Sequence, residues 1–158
     1  MASPTGLLAS SNDSIYAVTM IPVVLDTNVL VAGLRSGGGA SRQVLRRVLE
    51  GRFQPLFGNA LWLEYQELLG RSVWGEETTP DERLRVLAAL AGQGRWVRVY
   101  YGWRPNLPDE ADNHLIELAL AGGAVAIVTH NVRDLRGGEL RLGQLRVLTP
   151  AQLLRDYP

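Results

Sequence analysis

The run Ile21-Pro22-Val23-Val24-Leu25 stops at one carboxylate, Asp26, followed at once by Thr27, Asn28 and a new apolar pattern. No other stretch restricts the fold as strongly. An apolar, β-branched run bounded by polar residues reads as a strand buried on both faces, and the pattern from Asn28 reads as a helix. Such a strand belongs to a parallel sheet, and open parallel sheets bind their ligands outside the carboxyl ends of the strands. Asp26 is thus aimed at whatever the protein handles, unless it only caps the helix that follows.

The rest of the chain continues the alternation. Gly37-Gly38-Gly39 beside Ser36 reads as a flexible connection, since no Lys-Ser/Thr ending of a phosphate loop follows. Ser41 is expected to cap a helix carrying Val44, Leu45, Val48 and Leu49 inward and stopping at Gly51. Phe53–Phe57 is a second strand, placed at a sheet edge by Pro55. Asn59 opens a helix to about Arg71 with Leu61, Tyr65, Leu68 and Leu69 inside. Thr79-Pro80-Asp81-Glu82 starts another, with Leu84, Leu87, Ala88 and Ala91 as its buried stripe. Trp96–Tyr100 alternates as a strand, and Asp109-Glu110-Ala111-Asp112 begins a helix closed by Gly122-Gly123. Ala124–Thr129 is the most apolar strand, hence central, and ends in a second polar tip, Thr129-His130-Asn131. Residues 133–143 read as a loop, Leu145–Leu148 as the last strand and Thr149-Pro150 as the start of a terminal helix. Strands alternating with helices predict a parallel α/β sheet covered on both faces.

The 158 residues fit one domain, expected over 20–158. Residues 1–19 contain no Lys or Arg and are broken by Pro4, Asn12 and Asp13, so they are expected to be a poorly ordered extension ahead of an alternative start at Met20. No apolar run reaches the ~20 residues that cross a bilayer. With no positively charged leader either, a cytoplasmic location without membrane contact is expected.

Absence of Cys removes thiolate metal sites and Cys nucleophiles, and two His leave little for a zinc centre. A metal here must be held by oxygens, which selects hard dications. Four polar stations then matter: Asp26, Glu64, the pair Asp109 and Asp112, and Asn131 with nearby Asp134. If they converge, several carboxylates share one pocket and repel one another. A divalent cation relieves that repulsion, lowers the pKa of bound water and stabilises charge on a phosphoryl group. Each acid also has a plainer reading. Asp109 and Asp112 suit a helix start, Glu64 suits a surface, and Asp134 suits its own loop. His114 and His130 read as structural or exposed.

Leu25-Asp26-Thr27-Asn28-Val29-Leu30 with Arg35-Ser36-Gly37-Gly38, Glu64-Tyr65 before Leu69-Gly70-Arg71, Asp109-Glu110-Ala111-Asp112-Asn113 and Ile127-Val128-Thr129-His130-Asn131-Val132-Arg133-Asp134 occur in that order. From about Met20 to Pro158 this resembles a PIN-domain protein, close to the branch described as toxins of toxin–antitoxin systems. The resemblance implies a three-layer α/β/α sandwich around a parallel sheet and a ribonuclease dependent on Mg²⁺ or Mn²⁺. It implies Asp26, Glu64 and Asp112 as the catalytic, metal-holding acids, with Asp109 as an added ligand. Where the family often has a fourth acid, this chain has Asn131, an uncharged oxygen donor, with Asp134 three residues on. Thr27, Asn28 and Thr129 are candidates to orient the ligands.

Arg35, Arg42, Arg46 and Arg133 are candidates for RNA phosphates. All 16 basic residues are Arg and they balance 16 acids, so their number alone argues for no polyanion partner. The resemblance further implies an RNA substrate, an antitoxin protein covering the acidic pocket, and a homodimer. The rival expectation is a degenerate module that binds RNA or a protein without cutting, motivated by Asn131. A phosphatase or receiver domain is disfavoured because Asn28 stands where the second Asp of Asp-x-Asp is needed, and there is no Lys.

Overall fold

The structure, a computed structural model, describes residues 19–35, 39–71, 78–99, 113–136 and 144–158. Five strands, β1 (Ile21–Leu25), β2 (Phe53–Phe57), β3 (Arg95–Trp96), β4 (Ala126–Val128) and β5 (Arg146–Leu148), form one sheet in the order β3-β2-β1-β4-β5. Every pairing is parallel. Between them run α1 (Thr27–Arg35), α2 (Ala40–Leu49), α3 (Asn59–Leu69), α4 (Pro80–Gln93), α5 (Asn113–Gly122), α6 (Val132–Arg136) and α7 (Pro150–Asp156). Helices α2 and α4 lie against β2, while α5 lies across β1, β2 and β4, giving the expected three-layer α/β/α sandwich. Among the described residues no helix is long and apolar enough to cross a membrane.

The core follows the apolar runs. Val23, Val24 and Leu25 of β1 and Ala126, Ile127 and Val128 of β4 are essentially without exposed surface, because helices cover both faces of the sheet. At ~25 cal/mol per Å² of apolar surface removed from water, this double-sided burial is the main favourable contribution to folding. Helix α2 ends as its sequence asks. Gly51 takes a φ of 85°, and the N–H groups of Gly51 and Arg52 bond back to the carbonyls of Val48 and Arg47 at 2.9 and 2.8 Å. This paired closure reverses the chain into β2. Thr79 and Thr149 each form a reciprocal capping box at the starts of α4 and α7, both with Pro in the first turn.

Five local expectations change. Ser41 does not cap α2: Gly39 stands at the cap, and Ser41 is buried in the first turn, 2.9 Å from His130 Nε2. Pro55 is not on an edge, since β3 pairs outside β2. Phe57 turns its carbonyl to Val97 N–H on that side at 2.8 Å, and a residue two positions earlier points the same way. The missing N–H of Pro55 thus faces β3, whose pairing begins only at Leu56, so no ladder bond is lost. The alternation at 96–100 gives strand only at Arg95–Trp96, with Tyr100 outside the described residues.

The inward stripe of α4 is Arg83, Leu87 and Leu90, whereas Leu84 is 56 % exposed and Ala88 is exposed. Arg83 Nη1 donates to the carbonyl and hydroxyl of Thr78 at 2.8 and 3.1 Å, so a charged head enters the buried face with partners supplied. The first four residues of the stretch expected as loop, 133–136, belong to the helix Val132–Arg136. Residues 1–18 of the expected N-terminal extension lie outside the described residues.

Candidate functional site

The strand order fixes where a ligand belongs. From β1 the chain moves outward through β2 and β3, then returns to place β4 and β5 on the other side. The order therefore reverses between β1 and β4, and an open sheet has its crevice at the carboxyl ends of the strands flanking such a point. Leu25 and Val128 are in register, and the next residues are Asp26 and Thr129. Asp26 N–H donates to the Val128 carbonyl at 2.9 Å, and Thr129 N–H to that of Leu148, also at 2.9 Å. Both polar tips thus open at one crevice.

The Asp26 carboxylate is held from several directions. Thr27 N–H donates to Oδ1 at 2.7 Å, and the Thr129 hydroxyl donates to Oδ2 at 2.7 Å. The Thr27 hydroxyl and the Asn28 amide lie at 3.4 Å from Oδ1 and Oδ2. A helix cap accepts from the second or third N–H of its helix. Asp26 accepts from the adjacent residue and from another strand, so capping does not account for its orientation. Thr129 Oγ1 accepts from Asn28 Nδ2 at 3.3 Å and Asn131 N–H at 3.0 Å. A hydroxyl has one proton and two acceptor sites, so this fully buried Thr129 must give its proton to Asp26. His130 N–H in turn donates to Asn28 Oδ1 at 3.2 Å and orients that amide. Half-buried Asp26 is therefore a carboxylate held in one orientation at the crevice.

Helix α3 brings the second acid. Glu64, whose side chain is 40 % exposed, pairs with Nε2 of His114 from the first turn of α5. Next to Glu64 in α3 stands Tyr65, which is buried. Its hydroxyl donates to the carbonyl of Leu25, the residue before Asp26. Burial pushes the Tyr65 phenol well above its ordinary 10.0, and the negative charges of Asp26 and Glu64 push it further. Two carboxylates separated by 37 intervening residues thus act on one phenol.

Asp109 and Asp112 lie outside the described residues, although Asp112 precedes His114 by two positions in the chain. Asn131 and Asp134 are exposed, beside the β4 tip and in α6. Among the described residues no three of His, Asp and Glu gather as a metal group. The donors that are described are carboxylate, amide and hydroxyl oxygens, a chemistry that suits a hard dication. Arg35, Arg46 and Arg133 are exposed. Arg42 donates to the carbonyls of Gly33 and Leu34 at 2.8 and 3.3 Å, closing the end of α1. From the sequence, Tyr65 reads simply as part of an inner helix face and His114 as structural or exposed. Adjacency to Glu64 and to Asp112 was the signal available for each.

An acid held at the switch point of a parallel three-layer sandwich, with a second acid on a neighbouring helix, defines a class of small α/β domains with an acidic crevice. The chain belongs to the PIN-domain family, whose model matches residues 22–133. A crystal structure of VapBC2 from Rickettsia felis, bound to a DNA fragment from its promoter, is similar in fold, with a TM-score of 0.54 at 12 % identity. That match covers 80 % of this chain and 97 % of the other. Comparison with curated protein sequences returned no match.

Proposed function

We propose that the chain is a metal-dependent endoribonuclease and the toxin of a toxin–antitoxin pair. The observation that carries this reading is the carboxylate of Asp26, oriented by Thr129 at the switch point, with Glu64 beside the Tyr65 whose hydroxyl is bonded to the Leu25 carbonyl. Family membership supports nuclease chemistry, and the likeness to a VapBC2 structure supports an antitoxin partner. Asp26, Glu64 and Asp112 are the residues proposed to hold Mg²⁺ or Mn²⁺, with Asp109, Asn131 and Asp134 in support. A dication bound there supplies positive charge to the phosphoryl group and acidity to water. Thr129, Asn28 and Thr27 hold the Asp26 carboxylate, and His114 pairs with Glu64. No His base is needed for this chemistry.

Purified protein incubated with a mixed RNA pool tests the reading. Cleavage is expected with Mn²⁺, none in excess EDTA, and none for Asp26→Asn, whose circular dichroism stays that of the parent. Cleavage at the full rate in Asp26→Asn or in EDTA overturns it. Asn131, neutral where an acid is frequent, favours a second reading as an RNA- or protein-binding module that does not cut. Calorimetry with millimolar Mn²⁺ separates the two, since the module is expected to bind no metal.

A further inference from the structure

Helix α3, which carries Glu64, is lightly anchored: of its 11 residues only Leu61 and Tyr65 are buried. Apolar burial has no preferred direction, so Leu61 sets how deep the helix lies rather than its place along the sheet. Tyr65 adds a directional contact, the bond from its hydroxyl to the Leu25 carbonyl. Its ring is 3 % exposed and meets Phe57 of β2 edge-on with centroids 5.9 Å apart, so the phenol has no room to swing. The sheet leaves that carbonyl available. The register of β1 with β2 runs from Ile21 opposite Phe53 to Val23 opposite Pro55, two residues short of Leu25. Ile21 N–H donates to the Arg52 carbonyl on the β2 side, and residues two and four positions on point the same way. The Leu25 carbonyl thus faces the β2 side beyond the last β1–β2 pair, and the phenol takes that place.

We propose that Tyr65 is a positioning residue, whose hydroxyl, by holding the Leu25 carbonyl, fixes the spacing between the carboxylates of Asp26 and Glu64. The inference rests on the ribonuclease reading and names what sets the distance between two of its metal-holding acids. Leu25 immediately precedes Asp26, and Tyr65 immediately follows Glu64, so the bond ties the two acids through one peptide unit on each side. Thr129 holds Asp26 from the β4 side, and Tyr65 is the tie on the other. A site for a dication must be held to within about 0.5 Å, a tolerance that a hydrogen bond meets and that sliding apolar surfaces do not. A phenylalanine at this place fills the same space but leaves the helix to settle by packing alone.

The test uses the full-length protein, first without metal. The amide proton resonance of Thr27 reports its bond to Asp26 Oδ1. Tyr65→Phe, which keeps the ring, is expected to move that resonance upfield. Leu153→Ala serves as a control for lost stability alone, since it opens the core at α7, which packs on α2 and β5, and is expected to leave the resonance in place. Calorimetry with Mn²⁺, below the melting transition of every variant, is expected to give an affinity about 10–100-fold weaker for Tyr65→Phe and equal to the parent's for Leu153→Ala. Should Tyr65→Phe not melt cooperatively, the comparison is made in sucrose, which strengthens burial in all the proteins alike. A Thr27 resonance unmoved by Tyr65→Phe, or moved equally by Leu153→Ala, overturns the proposal, and so does a parental Mn²⁺ affinity in Tyr65→Phe. A parent that neither binds Mn²⁺ nor cuts RNA sinks the nuclease reading, and the metal-free resonance then decides the role of Tyr65. Mn²⁺-dependent cleavage with resonance and affinity unchanged in Tyr65→Phe removes that role and leaves the nuclease reading standing.

Discussion

The hydroxyl of Thr129, without exposed surface at the tip of β4, donates at 2.7 Å to Oδ2 of Asp26 at the tip of β1. With two N–H groups donating to the same hydroxyl oxygen, its proton has a single direction. This hydrogen bond couples the two strands at the switch point and sets the attitude of the acid.

Thr129→Val keeps the shape and removes that proton. Groups that orient a metal ligand typically matter 10–100-fold to affinity or activity. Mn²⁺ affinity measured by calorimetry is therefore expected to drop about 10–100-fold, with the melting transition still cooperative. An affinity equal to the parent's refutes the orienting role.

Glu64→Gln changes charge on a side chain that is 40 % exposed, so its effect on stability is expected within about 0.5 kcal/mol. RNA cleavage with Mn²⁺ is expected to fall by at least about a hundredfold if this carboxylate holds the dication. Turnover within twofold of the parent in a gel assay removes Glu64 from the site.

Tyr65→Phe strips the donor from the Leu25 carbonyl and is expected to cost about 1–3 kcal/mol, read from the urea midpoint. The pH dependence has a definite sign. The folded phenol stays protonated above 10.0, where the unfolded one ionises, so its contribution is complete below that pH and declines as pH rises above it. The parent is thus expected to lose stability more steeply than Tyr65→Phe above pH 10.0. Parallel alkaline profiles for the two proteins contradict this.

Gly94→Ala places a Cβ against the Phe57 ring and 2.7 Å from the Pro55 carbonyl oxygen, a backbone atom that cannot step aside. A loss of about 1–3 kcal/mol is expected, as for other overpacked sites, with the site's metal affinity unchanged. A stable Gly94→Ala protein would mean that β2 and the end of α4 separate readily.

The alternation of strands and helices, the buried run of β1 and the two polar tips at Asp26 and Thr129 were legible along the chain. These are local properties: a β-branched run ending at a carboxylate, or a Thr-Pro helix start, carries its information within a few residues. That β2 is an inner strand, that Arg83 rather than Leu84 faces inward, and that Tyr65 and His114 attend Leu25 and Glu64 depended on the folded arrangement. Tyr65 meets Leu25 across 40 residues and Thr129 meets Asp26 across 103. Such meetings depend on sheet register and on which faces of two helices pack, and neither leaves a periodic trace in the chain.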